Sequence, residues 1–125
     1  MAGPRKILIV EDDTRIHEFY AKVLAPHQLT FFTSCEEGLA ELKAGKVFDL
    51  IICDLDLLGM TGFVFLDKVK QGTGAKPPVI ICSSLSDPGT QKKVLEGGAV
   101  AFVSKPIQLE ELLKAVGGTF RLPPA

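Results

Sequence analysis

Five short apolar runs follow one another along the chain, and each is followed by a segment in which apolar residues recur at helical spacing. The runs cover residues 6–10, 29–33, 48–53, 78–82 and 99–103. Continuous apolar runs of this length are typical of strands that are buried on both faces of a parallel sheet. Because strands and helices alternate, we expect an α/β fold of the doubly wound (βα)5 type, with helices on both faces of the sheet.

Residues with capping preferences mark where the helices begin and end. Asp13 is well placed to cap the first helix, Ser34 and Glu37 have the spacing of a capping box, and Asp87 precedes a proline at the first helical position. Glycines are expected to end four helices, at Gly45, Gly72, Gly97–Gly98 and Gly117–Gly118. The segment 88–96 is the weakest helix, because it has only two clear apolar anchors.

Length and composition limit the class of protein. The chain has 125 residues, of which 46% are hydrophobic and 23% charged, and we expect residues 1–125 to form one well-filled domain. Its core would run from about 5 to 120, with a tail or linker stub at 121–125. The net charge of -1 gives no general attraction to nucleic acid, and the apolar run at 7–10 is too short for a signal peptide or a membrane span. These features favour a cytoplasmic protein without direct nucleic-acid binding or membrane insertion.

Cysteine and histidine give weaker signals. The three cysteines, Cys35, Cys53 and Cys82, have no Cys-x-x-Cys spacing and are odd in number, which favours buried reduced thiols in a cytosolic protein. A metal or redox role for them is the alternative. His17 and His27 have no ligand-type partners nearby in sequence, so both are expected to be exposed.

Carboxylates follow two of the apolar runs. Glu11 and Asp12 come directly after the first run, and Asp54 comes directly after the third. If the first and third strands are neighbours, these side chains meet at the edge of the sheet where ligands bind in open α/β folds. Two like charges about 4 Å apart repel by roughly 4 kcal/mol at an effective dielectric of about 20, which favours a cation between them. Oxygen ligands without histidine or thiolate suit Mg²⁺.

The last two strands end in residues that complement this cluster. Ser83 and Ser84 offer hydroxyl groups, and Lys105 offers an ammonium group that can pair with a carboxylate or a phosphoryl oxygen. The bond between Lys105 and Pro106 is a candidate cis peptide. A nucleophilic carboxylate, a divalent-cation pocket, a hydroxyl donor and a lysine are what phosphoryl transfer onto a carboxylate requires.

In these features the chain resembles a receiver domain of the two-component response regulator family, of the chemotaxis-regulator-like type. The resemblance covers residues from 5 to about 120. It rests on residues in matching order at the strand ends, namely Glu11, Asp12, Asp54, Gly62, Ser83, Ser84, Lys105 and Pro106. It implies a flavodoxin-like fold whose five-stranded parallel sheet has the order 2-1-3-4-5.

The resemblance also implies a phosphorylation site. Asp54 would accept a phosphoryl group from a phosphohistidine of a sensor histidine kinase or phosphotransfer protein. The cofactor would be Mg²⁺, held by Asp54, by Asp12 and by the backbone carbonyl of Asp56, with Glu11 acting mainly through water. Such a chain catalyses only its own phosphorylation and dephosphorylation, so it is not expected to be an enzyme otherwise.

The remaining matched residues would respond to the phosphoryl group. Ser83 would hydrogen-bond one of its oxygens, and Lys105 would contact the group or Asp54. Phe102 matches the switch aromatic of the family, whose ring would move inward as Ser83 shifts toward the phosphate. The surface of the fourth helix, fifth strand and fifth helix would then change its affinity for an effector or for a second copy of the chain.

Four positions depart from the family pattern. The loop after Asp54 commonly carries Met-Pro where this chain has Leu57 and Leu58, and loss of the proline is expected to loosen the loop. Asp56 adds a fourth carboxylate, which would tighten metal binding or shorten the lifetime of the phosphate. Ser83 replaces the commoner threonine and keeps the hydroxyl.

Two other functions share some of these residues. Residues 54–56 match the Asp-x-Asp motif of haloacid-dehalogenase-like phosphatases, but those enzymes place a second acidic pair after the lysine, whereas Glu11 and Asp12 precede Lys105. A receiver-like scaffold that only docks partners, without phosphorylation, usually lacks the acceptor aspartate, the lysine or the acidic pair. All of these are present here, and both functions stay as alternatives.

Overall fold

The computed structural model describes residues 4–72 and 76–120, in which strands and helices alternate strictly. The elements in chain order are β1 (Lys6–Val10), α1 (Thr14–Val23), β2 (Gln28–Phe32), α2 (Cys35–Lys43), β3 (Leu50–Cys53), α3 (Gly62–Gln71), β4 (Val79–Ser83), α4 (Pro88–Glu96), β5 (Ala101–Ser104) and α5 (Leu109–Phe120). The tail expected at 121–125 lies outside the described residues. Within the described ranges, no helix has both the length and the apolar character needed to cross a lipid bilayer.

The five strands form one parallel sheet in the order β2-β1-β3-β4-β5. This confirms the flavodoxin-like α/β fold and the strand order that the resemblance implied. In the register of the sheet, Val10 at the end of β1 lies opposite Cys53 at the end of β3. Ser83 at the end of β4 lies opposite Ser104 at the end of β5. The residues that follow these strands therefore meet at one edge.

Two apolar cores cover the two faces of the sheet. In β1, Leu8 and Val10 belong to the core shared with α2, α3 and α4, whereas Ile7 and Ile9 belong to the core shared with α1 and α5. Residues of β3 and β4 are buried along their whole length. The absence of any exposed position in these two strands explains why their sequences are continuous apolar runs and do not alternate.

Local sequence signals set most of the helix boundaries. The side chains of Asp13, Ser34 and Asp87 each accept a hydrogen bond from a backbone N–H two or three residues later, which confirms the predicted caps. The last two strands run further than predicted, so Ser83 and Ser104 are strand residues themselves. Three of the four predicted glycine boundaries are confirmed, since α2, α3 and α4 end next to their glycines.

The fourth glycine boundary was wrong. Gly117 and Gly118 lie inside α5, which continues to Phe120. Thr119 donates a side-chain hydrogen bond to the carbonyl of Ala115 at 2.8 Å, and Phe120 packs against the core of α1 and α5. Each glycine costs a helix up to about 1 kcal/mol relative to alanine. Because α5 continues through both glycines to the half-buried Phe120, tertiary contacts maintain the helix where local propensity favours its end.

Gly62 fixes the position of α3 against the end of β3. Its N–H donates to the carbonyl of Leu55 at 3.1 Å. A Cβ atom at this position would overlap the carbonyl oxygen of Asp54 and would lie 2.8 Å from the Cα of Leu55. These neighbours are backbone atoms that cannot move aside cheaply, so only glycine allows the helix to begin this close to the strand.

The same substitution at two glycines should have opposite effects. Gly62→Ala should lower the free energy of unfolding by about 2 kcal/mol, because the added methyl group overlaps backbone. Gly117→Ala should raise it by up to about 1 kcal/mol, because no atom lies within 4 Å of the new Cβ and alanine favours helix. Urea unfolding followed by far-UV circular dichroism measures both. A Gly62→Ala protein as stable as the parent would contradict the close contact of α3 with β3.

Candidate functional site

Three carboxylates converge at the carboxyl edge of the sheet. Glu11 and Asp12 follow β1, Asp54 follows β3, and one carboxylate oxygen from each lies within 4.8 Å of the others. Glu11 is 2% exposed and Asp54 is 6% exposed, whereas Asp12 faces solvent. The sheet register thus brings together the acidic residues that the sequence singled out.

Lys105 joins two of these carboxylates. Its Nζ donates to Oε1 of Glu11 at 2.5 Å and to Oδ2 of Asp54 at 2.9 Å. Its backbone N–H donates to the carbonyl of Ser83 at 3.0 Å, which fixes the start of the loop after β5 to the end of β4. The bond between Lys105 and Pro106 is cis, as predicted from the sequence. A second cis bond, between Ala25 and Pro26, was not predicted.

Backbone donors hold the remaining oxygens of the two buried carboxylates. The N–H of Asp13 donates to Oε2 of Glu11 at 3.1 Å, and the N–H of Asp56 donates to Oδ1 of Asp54 at 3.2 Å. Both buried side chains are therefore fixed in orientation by one ammonium and one amide. Asp12 is the member of the cluster that meets water.

The cluster carries more negative charge than Lys105 compensates. Three carboxylates face one ammonium group, which leaves a net charge of about −2 if all are ionised. Burial raises the pKa of Glu11 above its ordinary value, and this outweighs the lowering by Lys105. Burial alone would lower the pKa of Lys105, but its hydrogen bonds to Glu11 and Asp54 raise that pKa above 10.5.

Two consequences follow from these charges. The stabilisation that Lys105 contributes is fully present below pH 10.5 and is lost only as the pH rises through its elevated pKa, so the lysine is charged at neutral pH. The excess negative charge, carried entirely by carboxylate oxygens, fits a hard divalent cation such as Mg²⁺.

Ser83 and Phe102 lie on the same face of the sheet. Ile81 pairs with Phe102, and Ser83 pairs with Ser104 two residues further along both strands. Ser83 is fully buried, and its Oγ accepts a hydrogen bond from the N–H of Leu85 at 3.1 Å. Phe102 is half-buried and packs against the core shared with α2, α3 and α4. The two predicted switch residues are therefore neighbours, whereas Ser84 is exposed.

Both histidines were predicted wrongly as exposed residues. His17 is half-buried on α1, stacks on Phe31 with ring centroids 4.6 Å apart, and donates from Nε2 to the carbonyl of Glu11 at 2.6 Å. His27 is also half-buried, and its Nδ1 accepts the N–H of Arg5 at 2.8 Å. Their partners lie on other elements of the fold. A signal for the placement of His17 was present in the sequence. Because His17 lies one turn after the capping residue Asp13, its side chain can reach back to the end of the first strand.

The cysteines are three free, buried thiols, in agreement with the expectation from spacing. The Sγ atoms of Cys35 and Cys53 lie 3.8 Å apart in the core. Burial raises the pKa of Cys82 to about 11, so this thiol stays protonated at neutral pH. Across the described ranges, the cluster of possible metal ligands contains carboxylates and no cysteine.

Comparison with known proteins gives consistent matches. The family model of the response regulator receiver domain matches residues 7–117. The two-component response regulator ARR12 of Arabidopsis thaliana is 33% identical over 110 residues, which are 86% of this chain and 18% of that protein. Protein-glutamate methylesterase/protein-glutamine glutaminase 3 of Geobacter metallireducens is 33% identical over 106 residues, which are 81% of this chain and 29% of that protein.

The solved structures include relatives of similar size. The chemotaxis response regulator CheY4 of Vibrio cholerae has a TM-score of 0.79 and 28% identity, covering 94% of this chain and 100% of that one. The chain spans less than a third of the length of the two curated relatives described above. With the sheet order, the strand-end cluster and a family match over most of its length, this chain belongs to the response regulator receiver domain family of two-component signalling.

Proposed function

We propose that Asp54 accepts a phosphoryl group from a phosphohistidine of a sensor histidine kinase or phosphotransfer protein, in a Mg²⁺-dependent reaction. The observation that carries this proposal is the Asp54 carboxylate itself. It is 6% exposed and is oriented by Lys105 at Oδ2 and by the N–H of Asp56 at Oδ1. A carboxylate held in this way is fixed for attack, because its orientation is set before a donor arrives.

In the proposed transfer, a carboxylate oxygen of Asp54 forms a bond to phosphorus while the bond from phosphorus to the imidazole nitrogen breaks. Lys105 holds the carboxylate in place through its hydrogen bond to Oδ2, and afterwards pairs with an oxygen of the transferred group. The side chains of Asp12 and Asp54, with the backbone carbonyl of Asp56, would hold Mg²⁺, and Glu11 would act mainly through water. That ion would neutralise charge on the phosphoryl oxygens during transfer.

The response to phosphorylation would begin at Ser83. Its hydroxyl would turn from the N–H of Leu85 toward a phosphoryl oxygen, and Phe102 on the same sheet face would follow it inward. Exposed apolar side chains support a partner surface here. They are Leu95 on α4 (46%), Val100 before β5 (51%), and Leu109 (45%) and Leu113 (44%) on α5. We propose this α4-β5-α5 surface as the site for an effector or a second copy of the chain.

An apolar cleft supports the docking of a phosphodonor. It has a volume of about 220 Å³ and lies directly beside the lysine of the cluster. Its lining consists of Ile16, Phe19, Lys105, Pro106 and Ile107. A partner that packs an apolar side against this cleft would bring its phosphohistidine next to Asp54.

The transfer is tested by intact-mass spectrometry after incubation with acetyl phosphate and Mg²⁺. We expect the parent to gain the mass of one phosphoryl group, and Asp54→Asn to gain none. Asp56→Asn is the matched control, because it removes a neighbouring carboxylate and keeps the acceptor, so it should still be labelled. Chelator should abolish labelling. An unlabelled parent would support the docking scaffold, equal labelling of Asp54→Asn would move the acceptor elsewhere, and sustained release of phosphate from a simple ester would support a phosphatase.

Thermal melts test the charge of the cluster and its cation together. In chelator, Asp12→Asn should melt about 2–5 °C above the parent, because it removes repulsion from two neighbouring carboxylates. Mg²⁺ should raise the melting temperature of the parent and raise that of Asp12→Asn much less.

Asp13→Asn is the control for these melts. Hydrogen bonds from the Arg15 side chain and backbone lower the pKa of Asp13 to about 2, so its charge is already compensated. Asp13→Asn should not gain stability in chelator and should respond to Mg²⁺ as the parent does. Two outcomes would count against the cluster: a lower melting temperature for Asp12→Asn in chelator, or equal Mg²⁺ shifts in the parent and Asp12→Asn.

A further inference from the structure

We infer that Glu36 is a positioning residue for the loop between β3 and α3, residues 54–61, which carries the phosphoacceptor and the backbone carbonyl of Asp56. This inference rests on the proposed function. Glu36 lies in the first turn of α2, and its Oε2 accepts the N–H of Met60 at 3.0 Å. The contact joins residues 24 positions apart and connects one helix to the far end of the loop.

Gly59 provides the space for this contact. Its φ of +77° is a backbone conformation that favours glycine. A Cβ atom at position 59 would lie only 2.5 Å from Oε2 of Glu36. The loop therefore turns at the one residue whose missing side chain lets the carboxylate reach the next backbone N–H.

Other contacts fix both ends of the loop, and the side chain of Met60 packs against the core, but none of these contacts holds Leu58 or Gly59. The N–H of Asp56 donates to Asp54, and Leu57 is buried in the core that contains the α2 residue Cys35. The N–H of Gly62 donates to the carbonyl of Leu55. Between these points Leu58 is 92% exposed and contributes no packing. This is the position where the family pattern commonly has proline.

Glu36 thus stiffens the loop by a hydrogen bond where proline would stiffen it covalently. A carboxylate suits this task, because a charged acceptor makes a stronger bond to an N–H than a neutral one does. The first turn of α2 also favours negative charge there. Without the contact, residues 58–60 would sample more conformations, and ordering the carbonyl of Asp56 toward a cation would cost more entropy.

Three variants test this role. Glu36→Ala removes the acceptor, Glu36→Gln removes the charge but keeps an oxygen acceptor, and Glu37→Ala removes the neighbouring charge. Glu37 caps its own helix through Ser34 and Thr33, so it is the matched control for charge and for stability of α2. Two quantities are measured by NMR for each protein. They are the hydrogen-exchange rate of the Met60 amide without metal, and the Mg²⁺ concentration at which the changes in amide chemical shift are half-maximal.

For Glu36→Ala we expect Met60 exchange and the Mg²⁺ midpoint to rise about threefold to tenfold, as loss of one hydrogen bond implies. Glu36→Gln should lie between the parent and Glu36→Ala, because it keeps an oxygen acceptor but loses the charge. Glu37→Ala should leave both quantities unchanged. Equal behaviour of Glu36→Ala and Glu36→Gln, or of Glu36→Ala and Glu37→Ala, would overturn the inference. A parent that binds no Mg²⁺ would contradict the proposed function instead, and Met60 exchange would still decide whether Glu36 holds the loop.

Discussion

The candidate site is organised around unbalanced charge at the carboxyl edge of the parallel sheet. Glu11, Asp12 and Asp54 meet there, and Lys105 reaches across from the end of β5 to bond two of them. The lysine is 94 residues from Glu11 and 51 from Asp54, so this contact exists only when the sheet has formed in its observed order. One ammonium group fixes the orientation of two buried carboxylates but cannot neutralise three. The site is therefore held in shape and is still attractive to a cation.

This arrangement connects the chemistry to the rest of the fold. Lys105 bonds to Asp54 through its side chain and to Ser83 through its backbone, so the acceptor and the end of β4 share one neighbour. Ser83 in turn lies on the same sheet face as Phe102. In the proposed mechanism, a new charge at Asp54 would be detected by the buried hydroxyl of Ser83, at the end of the strand that precedes α4. A local electrostatic event could then bias the packing of a distant surface.

The sequence was sufficient to predict the buried strands of the sheet and the side chains that meet at their carboxyl ends. Continuous apolar runs predicted the buried strands, because strands covered on both faces have no polar side to show. The strand-end rule then brought Glu11, Asp12, Asp54 and Lys105 to one edge. Neither argument needs knowledge of which side chains touch.

The features that the sequence missed are tertiary contacts. Gly117 and Gly118 resemble a helix end locally, yet packing of Phe120 keeps α5 intact beyond them. His17 appeared to lack a partner because its acceptor is a backbone carbonyl, which no sequence pattern marks. The sequence analysis did not single out Glu36, because its bond to Met60 depends on how α2 packs beside the loop. Such contacts are determined by the assembled fold and not by neighbouring residues.

The most direct test of the unbalanced cluster is anomalous diffraction from crystals soaked in Mn²⁺, an ion that takes the same oxygen ligands as Mg²⁺. The account predicts one strong peak within coordinating distance of the carboxylates of Asp12 and Asp54, with Lys105 still bonded to Asp54. A protein that shows no peak at this edge of the sheet, or binds the ion only elsewhere, would contradict it.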